Sequence, residues 1–263
     1  MKEFPAPLTI QSRVAISVAS VIGLIILWHA SGRFEWVSPL VLPPPEEVWG
    51  SARDMLQDGY RQMPLWMHVA SSVGRALIAF AAAIAAGVPL GLSMGIFPVL
   101  SALLDPFVQF FRPLPKLALI PLVILWLGIG EASKIFLIFF STLFTVVVGC
   151  AAAVRGVGQG KLRLGEALGA THWQLLRFII LPGALPEVFT SIRLAIGVGW
   201  TTLIASEMVA AESGLGWMVM NASSYMRTDV VMLGIIFLGL TGYLLDLCIV
   251  ILQKFAVPWA GKD

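Results

Sequence analysis

Side chains that commonly carry out chemistry are few in this sequence and lie far apart along it. Three histidines and two cysteines occur among the 263 residues, at His29, His68, His172, Cys150 and Cys248. The histidines form neither an HExxH motif nor a pair at metal-ligand spacing. Both cysteines lie inside apolar runs, which favours small buried hydrophobic side chains over a disulfide framework or a metal site. We therefore expect no catalytic residue and no metal centre.

The nearest approach to a nucleotide site is the glycine-rich segment GVGQGKL, residues 156–162. A phosphate-binding loop needs glycine five positions before Gly160, where Arg155 stands, and serine or threonine after Lys161, where Leu162 stands. The segment also lies between apolar runs rather than between a strand and a helix. We expect no ATP binding by this chain.

The elements that position these side chains are predicted to lie in a membrane. Hydrophobic residues make up 58% of the chain, charged residues make up 12%, and the mean hydropathy is +0.90. A soluble domain carries about twice that charged fraction, because most of a folded surface faces water. The net charge of +2 is too balanced for a polybasic surface. The composition excludes a water-soluble enzyme, a disordered chain and a nucleic-acid-binding protein.

Six apolar stretches approach the length of about 20 residues that a helix needs to cross a bilayer. They are residues 14–31, 69–96, 100–128, 135–154, 187–206 and 229–252. We predict an all-α membrane protein with a single transmembrane domain over 1–263. Its core spans about 66–254, and an extra N-terminal helix spans about 14–31. No small-residue cleavage pattern follows that first stretch, so we do not expect a cleaved signal peptide.

Basic residues near the ends of the spans predict the orientation of the chain. With the N-terminus inside, the inner segments carry Lys2, Arg13, Arg155, Lys161, Arg163, Arg177, Lys254 and Lys262. The outer segments then carry Arg33, Arg53, Arg61 and Arg227. This inner excess predicts that both termini are cytoplasmic.

Two of the spans have unusual residues. In the second, Gly87, Gly91 and Gly95 form a small-xxx-small repeat, which permits close packing either within the chain or against a second subunit. In the third, four prolines predict an interfacial helix to about residue 111, a break at Arg112–Lys116 and then the spanning part. Arg112 and Lys116 would lie near a wet pathway, or they would snorkel to the cytoplasmic interface.

The segment between spans four and five carries the strongest pattern. Its leucines form an apolar stripe that Gly169-Ala170-Thr171 interrupts. The pattern predicts two short helices joined at a glycine elbow, with Thr171 capping the second. We expect Pro182 and Pro186 to terminate this unit before span five. Such a unit is either a docking lever for another protein or an amphipathic loop on the lipid headgroups.

The spacing within this segment resembles the signature of permease subunits of binding-protein-dependent ABC importers. That signature is EAA, three residues, Gly, nine residues, Ile, one residue and Leu-Pro. Here Gly169 is followed by nine residues, then Ile179 and Leu181-Pro182. The EAA positions fall on Arg163, Leu164 and Gly165, so the first half departs from the pattern, and Glu166-Ala167 is three places out of register.

The resemblance extends from about residue 37 to 254. The segments LVLPPPEEV, RPLPKLALIPLVILWLGIGEASKI, ILPGALPEV, GVGW and ESGLGWMVMNASSYMRTDVV look like the branch that imports taurine, aliphatic sulfonates and nitrate. The resemblance implies a six-helix, MetI-like type I importer permease in the bacterial cytoplasmic membrane. It also implies taurine or a related sulfonate as substrate, with nitrate or a small aromatic or heterocyclic solute as the alternative.

The resemblance further implies partners and a mechanism of alternating access. Two ATPase subunits would bind ATP and Mg, a second permease chain would complete a homodimer, and a periplasmic binding protein would deliver the solute. No nucleic acid is expected as a partner. The docking unit would be about 161–178, and its coupling residues would be Arg163, Glu166, Leu168, Gly169, Ala170, Thr171, His172 and Trp173.

Span five is the predicted translocation pathway. Arg193, Gly197, Thr201 and Ile204 share one helical face. Arg193 would attract a sulfonate, or it would pair with Glu187 or reach the inner interface. The full set of pathway or gate candidates is Arg112, Lys116, Arg193, Gly197, Trp200, Thr201, Ile204 and Glu207. The following segment 207–218, with glycines at 214 and 216, is predicted to form an outer gate or a re-entrant helix.

Two rival classes of membrane protein remain at this stage. Asp105 and Asp246 are acids near span ends, and they would form the relay of a proton-coupled secondary transporter. That class is expected to show inverted repeats, which the sequence lacks. An intramembrane serine protease would need His29 and Ser31, the one close pair of its kind, but no oxyanion-type loop accompanies them.

Overall fold

The computed structural model describes residues 9–259, and within that range the chain is built from helices without a β-strand. The helices are α1 Ile10–Arg33, α2 Pro45–Gln57, α3 Leu65–Ile96, α4 Pro98–Phe111, α5 Ile120–Leu127, α6 Glu131–Arg155, α7 Gln159–Ala167, α8 His172–Leu175, α9 Leu181–Ala210, α10 Leu215–Ser224 and α11 Thr228–Ala256. A 3₁₀ turn, Lys116–Leu119, precedes α5, and a π-helical segment, Leu176–Ile180, joins α8 to α9. The all-α prediction is confirmed.

Five helical segments of the described chain are long and apolar enough to cross a membrane. They are Val14–Arg33, Leu65–Ile96, Glu131–Arg155, His172–Ala210 and Thr228–Ala256. A sixth candidate is the pair α4 and Lys116–Leu127, which is bent by 85° at the break. The break predicted at Arg112–Lys116 is therefore confirmed, and the spans correspond to those expected from hydropathy.

The direction of α3 and α6 shows that the bent pair must carry the chain back across the bundle. Gly87 of α3 faces Val146 of α6, and Gly95 faces Val154 further along both helices. Contacts that advance together along two helices mean that the helices run parallel. The intervening chain, which consists of α4 and α5, therefore has to return from the end of α3 to the start of α6. This gives six crossings when the bent pair counts as one.

The small-residue repeat of α3 packs within the chain, and the second-subunit alternative is not needed to explain it. A Cβ at Gly91 would lie 2.5 Å from the carbonyl oxygen of Val147 and 2.7 Å from Cβ of Cys150. Glycine thus lets the two backbones approach closely. Cys150 is buried in this contact as expected. Cys248 is instead exposed on α11, which corrects the expectation that both thiols are buried.

The expectation that Pro182 and Pro186 end the cytoplasmic unit is wrong. The chain is helical without interruption from His172 to Ala210. Upstream of Pro182, the N–H of Leu181 donates to Leu176 O, five residues back, in the π-helical segment. Pro186 has no N–H, so Pro182 O has no helical donor. The indole Nε1 of Trp259 donates to that oxygen at 3.2 Å, so a residue beyond α11 satisfies the gap.

The N-terminal helix α1 stands largely apart from the rest of the described chain. Most of its side chains over 14–27 are exposed. Its attachment is near its C-terminal end, where Trp28 Nε1 donates to Pro43 O at 2.9 Å. Two of the cations that predict the orientation, Lys2 and Lys262, lie outside the described residues. The orientation of the chain stays a prediction.

Gly91→Val tests the close approach of α3 and α6. The added side chain would meet Val147 and Cys150, so overpacking should destabilise the fold by about 1–3 kcal/mol. We expect a lower melting midpoint for the detergent-purified protein. Gly23→Ala is the matched control, because a Cβ at Gly23 would meet no atom within 4 Å. Equal melting midpoints for the two variants would contradict the packing described for α3 and α6.

Candidate functional site

The elbow, residues 168–171, ends α7 and begins α8 through backbone geometry that the sequence dictates. Gly169 has φ +79°, a left-handed conformation that favours glycine. The N–H of Gly169 donates to Glu166 O at 2.9 Å, and the N–H of Ala170 donates to Gly165 O at 3.0 Å. These two hydrogen bonds form a Schellman motif, which satisfies the last carbonyls of α7.

Thr171 caps the second helix as predicted. Its Oγ1 accepts from the N–H of Gln174, and the Gln174 side chain accepts from the N–H of Thr171. This reciprocal pair is a capping box. Behind the elbow, a Cβ at Gly165 would lie 2.6 Å from Leu175 Cδ2 and 2.7 Å from Ile179 Cδ1. The two arms of the elbow therefore pack directly on each other and form one rigid unit.

The coupling candidates all lie on this unit, and nearly all of them are exposed. Leu168 is 79% exposed and Trp173 is 65% exposed, although both are large and apolar. Ala170 is half-buried, and the remaining candidates, Arg163, Glu166, Gly169, Thr171 and His172, are exposed. The described chain thus leaves large apolar side chains uncovered at the elbow, where a partner protein or the lipid headgroups would cover them.

At the opposite end of the bundle a buried arginine joins three helices. Arg75 of α3 donates through Nε and Nη2 to both carboxylate oxygens of Glu131, the first residue of α6, at 2.5 and 2.9 Å. Its Nη1 donates to Glu207 of α9 at 2.7 Å and to Ser213 O at 2.8 Å. Lys134 also donates to Glu131, at 2.8 Å. We call these five residues, Arg75, Glu131, Lys134, Glu207 and Ser213, the Arg75 cluster.

Glu207 connects the Arg75 cluster to the start of α10. Its fully buried carboxylate accepts from Ser72 Oγ at 2.8 Å and from the N–H of Gly216 at 2.9 Å. The N–H of Leu215 donates to Ser72 Oγ at 2.8 Å. The first N–H groups of a helix lack partners within it, and an anion near them is stabilised by the helix dipole. A Cβ at Gly214 would lie 2.5 Å from the Glu207 carboxylate, so glycine is required there.

Aromatic side chains also contact the start and the end of α10. His68 is fully buried and stacks on Trp217, with ring centroids 5.6 Å apart. Its Nδ1 accepts from the N–H of Gly214 at 3.2 Å. Tyr60 donates to Asn221 Oδ1 at 2.8 Å, and burial raises the pKa of the Tyr60 phenol. The phenol therefore stays a protonated donor, and α10 is fixed at both ends.

The pathway candidates of α9 divide between two faces. Gly197 and Thr201 are exposed and Ile204 is half-buried. Trp200 is buried and donates through Nε1 to Leu238 O at 3.2 Å, so it joins α9 to α11. Glu207 is likewise inside the chain, as described above, rather than on the exposed face.

Arg193 is paired, and its partner is one that the sequence did not suggest. Its Nε and Nη2 donate to the two oxygens of Asp246 on α11, both at 2.8 Å. The two side chains are 38% and 39% exposed. Glu187, the partner considered from the sequence, lies six positions away on the same helix, whereas the partner in the structure is on a different helix.

The two candidates in the bent pair have different surroundings. Lys116 donates through Nζ to Arg112 O and, at 3.3 Å, to Phe111 O. It thereby satisfies carbonyl groups at the end of α4, where a cation is favoured. Arg112 is exposed.

Arg75 is the residue that the sequence analysis missed. The available signal was an arginine near the beginning of the predicted span 69–96, because a charged residue within a span needs a partner. The partners themselves come from distant parts of the chain and carry no local pattern.

Glu207→Ala tests whether the Arg75 cluster stabilises the fold. The substitution leaves a buried guanidinium without one of its anions, which should cost about 3–5 kcal/mol. We expect little folded protein in membranes and a broad gel-filtration profile after extraction. Glu207→Gln keeps an oxygen acceptor and should lose less, and Glu212→Ala, at an exposed position, should have no effect. Normal yield and melting of Glu207→Ala would contradict the assigned role.

Comparison with known proteins places this architecture in a family. The family described as "Binding-protein-dependent transport system inner membrane component" matches residues 87–262. The taurine transport system permease protein TauC of Escherichia coli K12 is 40% identical over 95% of this chain and 91% of its own length. The putative aliphatic sulfonates transport permease protein SsuC of the same organism is 37% identical over 90% of this chain and 89% of its own length.

The fold is also similar to that of a solved transporter. A chain of the MetNI methionine ABC transporter, in an inward-facing conformation, superposes with a TM-score of 0.54 at 19% identity, covering 70% of this chain and 97% of that one. This likeness confirms the expected MetI-like fold. The family match and the relative TauC confirm the ABC permease resemblance and a multi-pass location in the inner membrane. This chain belongs to the family of inner membrane components of binding-protein-dependent transport systems.

Proposed function

We propose that this chain is the permease subunit of an ATP-driven importer that moves taurine or a related sulfonate by alternating access. The permease TauC is similar over nearly the whole chain, and another relative, SsuC, is named for aliphatic sulfonates. A shared family supports the transport class, and the two relatives support the substrate class.

The observation that carries the mechanism is the rigid unit of α7, the elbow and α8, with Leu168 and Trp173 exposed on it. It follows α6, whose first residue belongs to the Arg75 cluster, so the two sites lie at opposite ends of the bundle. The second arm of the elbow continues as one helical run to Ala210. A subunit that grips the elbow would therefore move α9 along its whole length.

In this proposal the subunits that bind the elbow are two ATPase chains, and these ATPase chains also bind ATP and Mg. This chain binds neither in the proposal. Its glycine-rich segment 156–162 follows a helix, α6, whereas a phosphate-binding loop follows a β-strand. Arg155 and Leu162 also stand where such a loop needs glycine and a hydroxyl side chain.

The proposal includes a second copy of this chain and a periplasmic binding protein. On α9, Leu194, Gly197, Val198 and Thr201 form an exposed face of mixed polarity. This face is suited to contact with a second copy, because the small residues Gly197 and Thr201, four positions apart, permit the close approach of another helix. The binding protein would dock at the end of the bundle that carries the Arg75 cluster.

The contacts of two acids argue against a proton-coupled transporter. Asp246 forms a two-point ion pair with Arg193, and Asp105 accepts from Ser101 at 2.9 Å with Arg155 Nη2 at 3.9 Å. The two acids therefore lie in separate ion contacts rather than in the chain of acids that a proton relay uses.

Gly169→Val tests the elbow. A β-branched residue at φ +79° is strongly disfavoured, at a cost of about 1–2 kcal/mol, and the helix arms should splay. A Cβ would meet no atom within 4 Å, so the effect would come from the backbone alone. We expect normal insertion in the membrane, a large loss of taurine uptake and reduced recovery of the ATPase. Gly158→Ala, at φ −57° and with free space for a Cβ, is the control.

The proposed function as a whole is tested by purification of this chain, tagged, from gently solubilised membranes. We expect an ATPase to copurify and to be stimulated by the binding protein loaded with taurine or an alkanesulfonate, but not by the binding protein without solute. Nitrate in the same panel tests the alternative substrate. Transport that continues without ATP and stops with a protonophore would refute the ATP-driven mechanism.

A further inference from the structure

Glu131 joins two buried cations at the end of the bundle opposite the elbow. Both carboxylate oxygens accept from Arg75, and one of them also accepts from Lys134. The side chains of Arg75 and Lys134 are 6% and 5% exposed, whereas that of Glu131 is 57% exposed. Of these three groups, only the anion can leave its position without crossing the packed interior.

A groove of about 410 Å³ opens in front of this contact. Ala70, Ser71 and Gly74 of α3 form one side of it, and its lining includes Arg75 and Glu131. A Cβ at Gly74 would meet no atom within 4 Å, so space is free one position away from Arg75. The volume is in the range of sites that hold small molecules.

The charges of the Arg75 cluster restrict what the groove can take. Arg75 and Lys134 balance Glu131 and Glu207. Glu207 is fixed by Ser72 and the N–H of Gly216, so Glu131 is the anion that can change partner. A ligand with a net charge would leave this poorly solvated group unbalanced, which costs free energy. A ligand that carries both an anion and a cation keeps the balance.

We propose that this groove binds a zwitterionic aminosulfonate, with its sulfonate on Arg75 and its ammonium on Glu131, both of which line the groove. The inference rests on the proposed function and adds the substrate contacts. The Nε and Nη2 donors of Arg75 already hold two carboxylate oxygens side by side, and two sulfonate oxygens fit the same fork.

The exchange of ion-pair partners keeps the affinity low. The incoming sulfonate competes with Glu131, which is tethered beside the two cations at high effective concentration. We expect a dissociation constant of roughly 1 mM, which corresponds to weak, reversible binding. Such binding suits a site that passes its ligand onward.

The test uses the purified complex of permease and ATPase in lipid nanodiscs, without the binding protein. Binding of radiolabelled taurine is measured at equilibrium, and ethanesulfonate, which has the same anion and no ammonium, is measured by competition. In Glu131→Gln we expect the dissociation constant for taurine to rise about tenfold, which corresponds to about 1.4 kcal/mol of binding free energy. Ethanesulfonate should bind more tightly, because the competing carboxylate is gone and a positive charge is uncompensated.

Two further variants separate the groove from general effects. Gly74→Leu fills the groove without altering a charge, and it should abolish binding of both ligands while the melting midpoint stays unchanged. Glu212→Gln removes an exposed carboxylate one residue before Ser213, and it should leave both ligands unaffected.

Three outcomes would overturn the inference. In the first, the unaltered complex does not bind taurine even at a concentration 50-fold above the expected dissociation constant. In the second, Glu131→Gln changes the affinities for taurine and ethanesulfonate equally. In the third, Gly74→Leu binds both ligands normally. Taurine uptake by cells that carry the complete system is measured in parallel. If uptake is normal while one of these outcomes occurs, only the groove assignment fails, and if the unaltered system takes up no taurine, the proposed function fails as well.

Discussion

The structure depends on satisfying one buried guanidinium. Arginine presents five N–H donors in a fixed plane and cannot be deprotonated. In Arg75 the donors reach Glu131, Glu207, Ser213 O and Ser213 Oγ, which come from α6, α9 and the segment before α10. These acceptors must be brought together because an unpaired charge in a membrane protein interior is very costly. The fold of this end of the bundle follows from that requirement.

The ion pairs of Arg75 lie at the ends of the main helix contacts of the bundle. Arg75 meets Glu131 at the start of the parallel contact between α3 and α6, and glycines continue this contact to Gly95. Glu207 lies near the end of the helical run that begins at His172 beside the elbow. At about 1.5 Å per residue, the run of 39 residues is roughly 58 Å long. One continuous helical run thus connects the elbow with the Arg75 cluster.

Local patterns predicted much of this architecture. Apolar length indicated the spans, the prolines indicated the break before Lys116, and Gly169 with Thr171 indicated the elbow and its cap. Each of these features depends on residues that are close in the sequence, since a span is one continuous apolar run and proline and capping act within about one turn. The continuity of α9 through Pro182 and Pro186 was missed, because the carbonyl oxygen that Pro186 leaves without its usual donor is satisfied by Trp259, from the far end of the described chain.

The sequence by itself determined that the chain is helical and membrane-embedded, and it determined where the chain turns. Only the tertiary structure decided which charged residues pair. Arg75 with Glu131 and Glu207, and Arg193 with Asp246, are contacts between helices that lie far apart in the sequence. The helical periodicity fixes the direction of each side chain relative to its neighbours in the sequence. Its partner on another helix, however, depends on how all the helices pack. For Arg75 and Glu207, whose side chains are 6% and 0% exposed, the low dielectric of that interior makes the pairing obligatory.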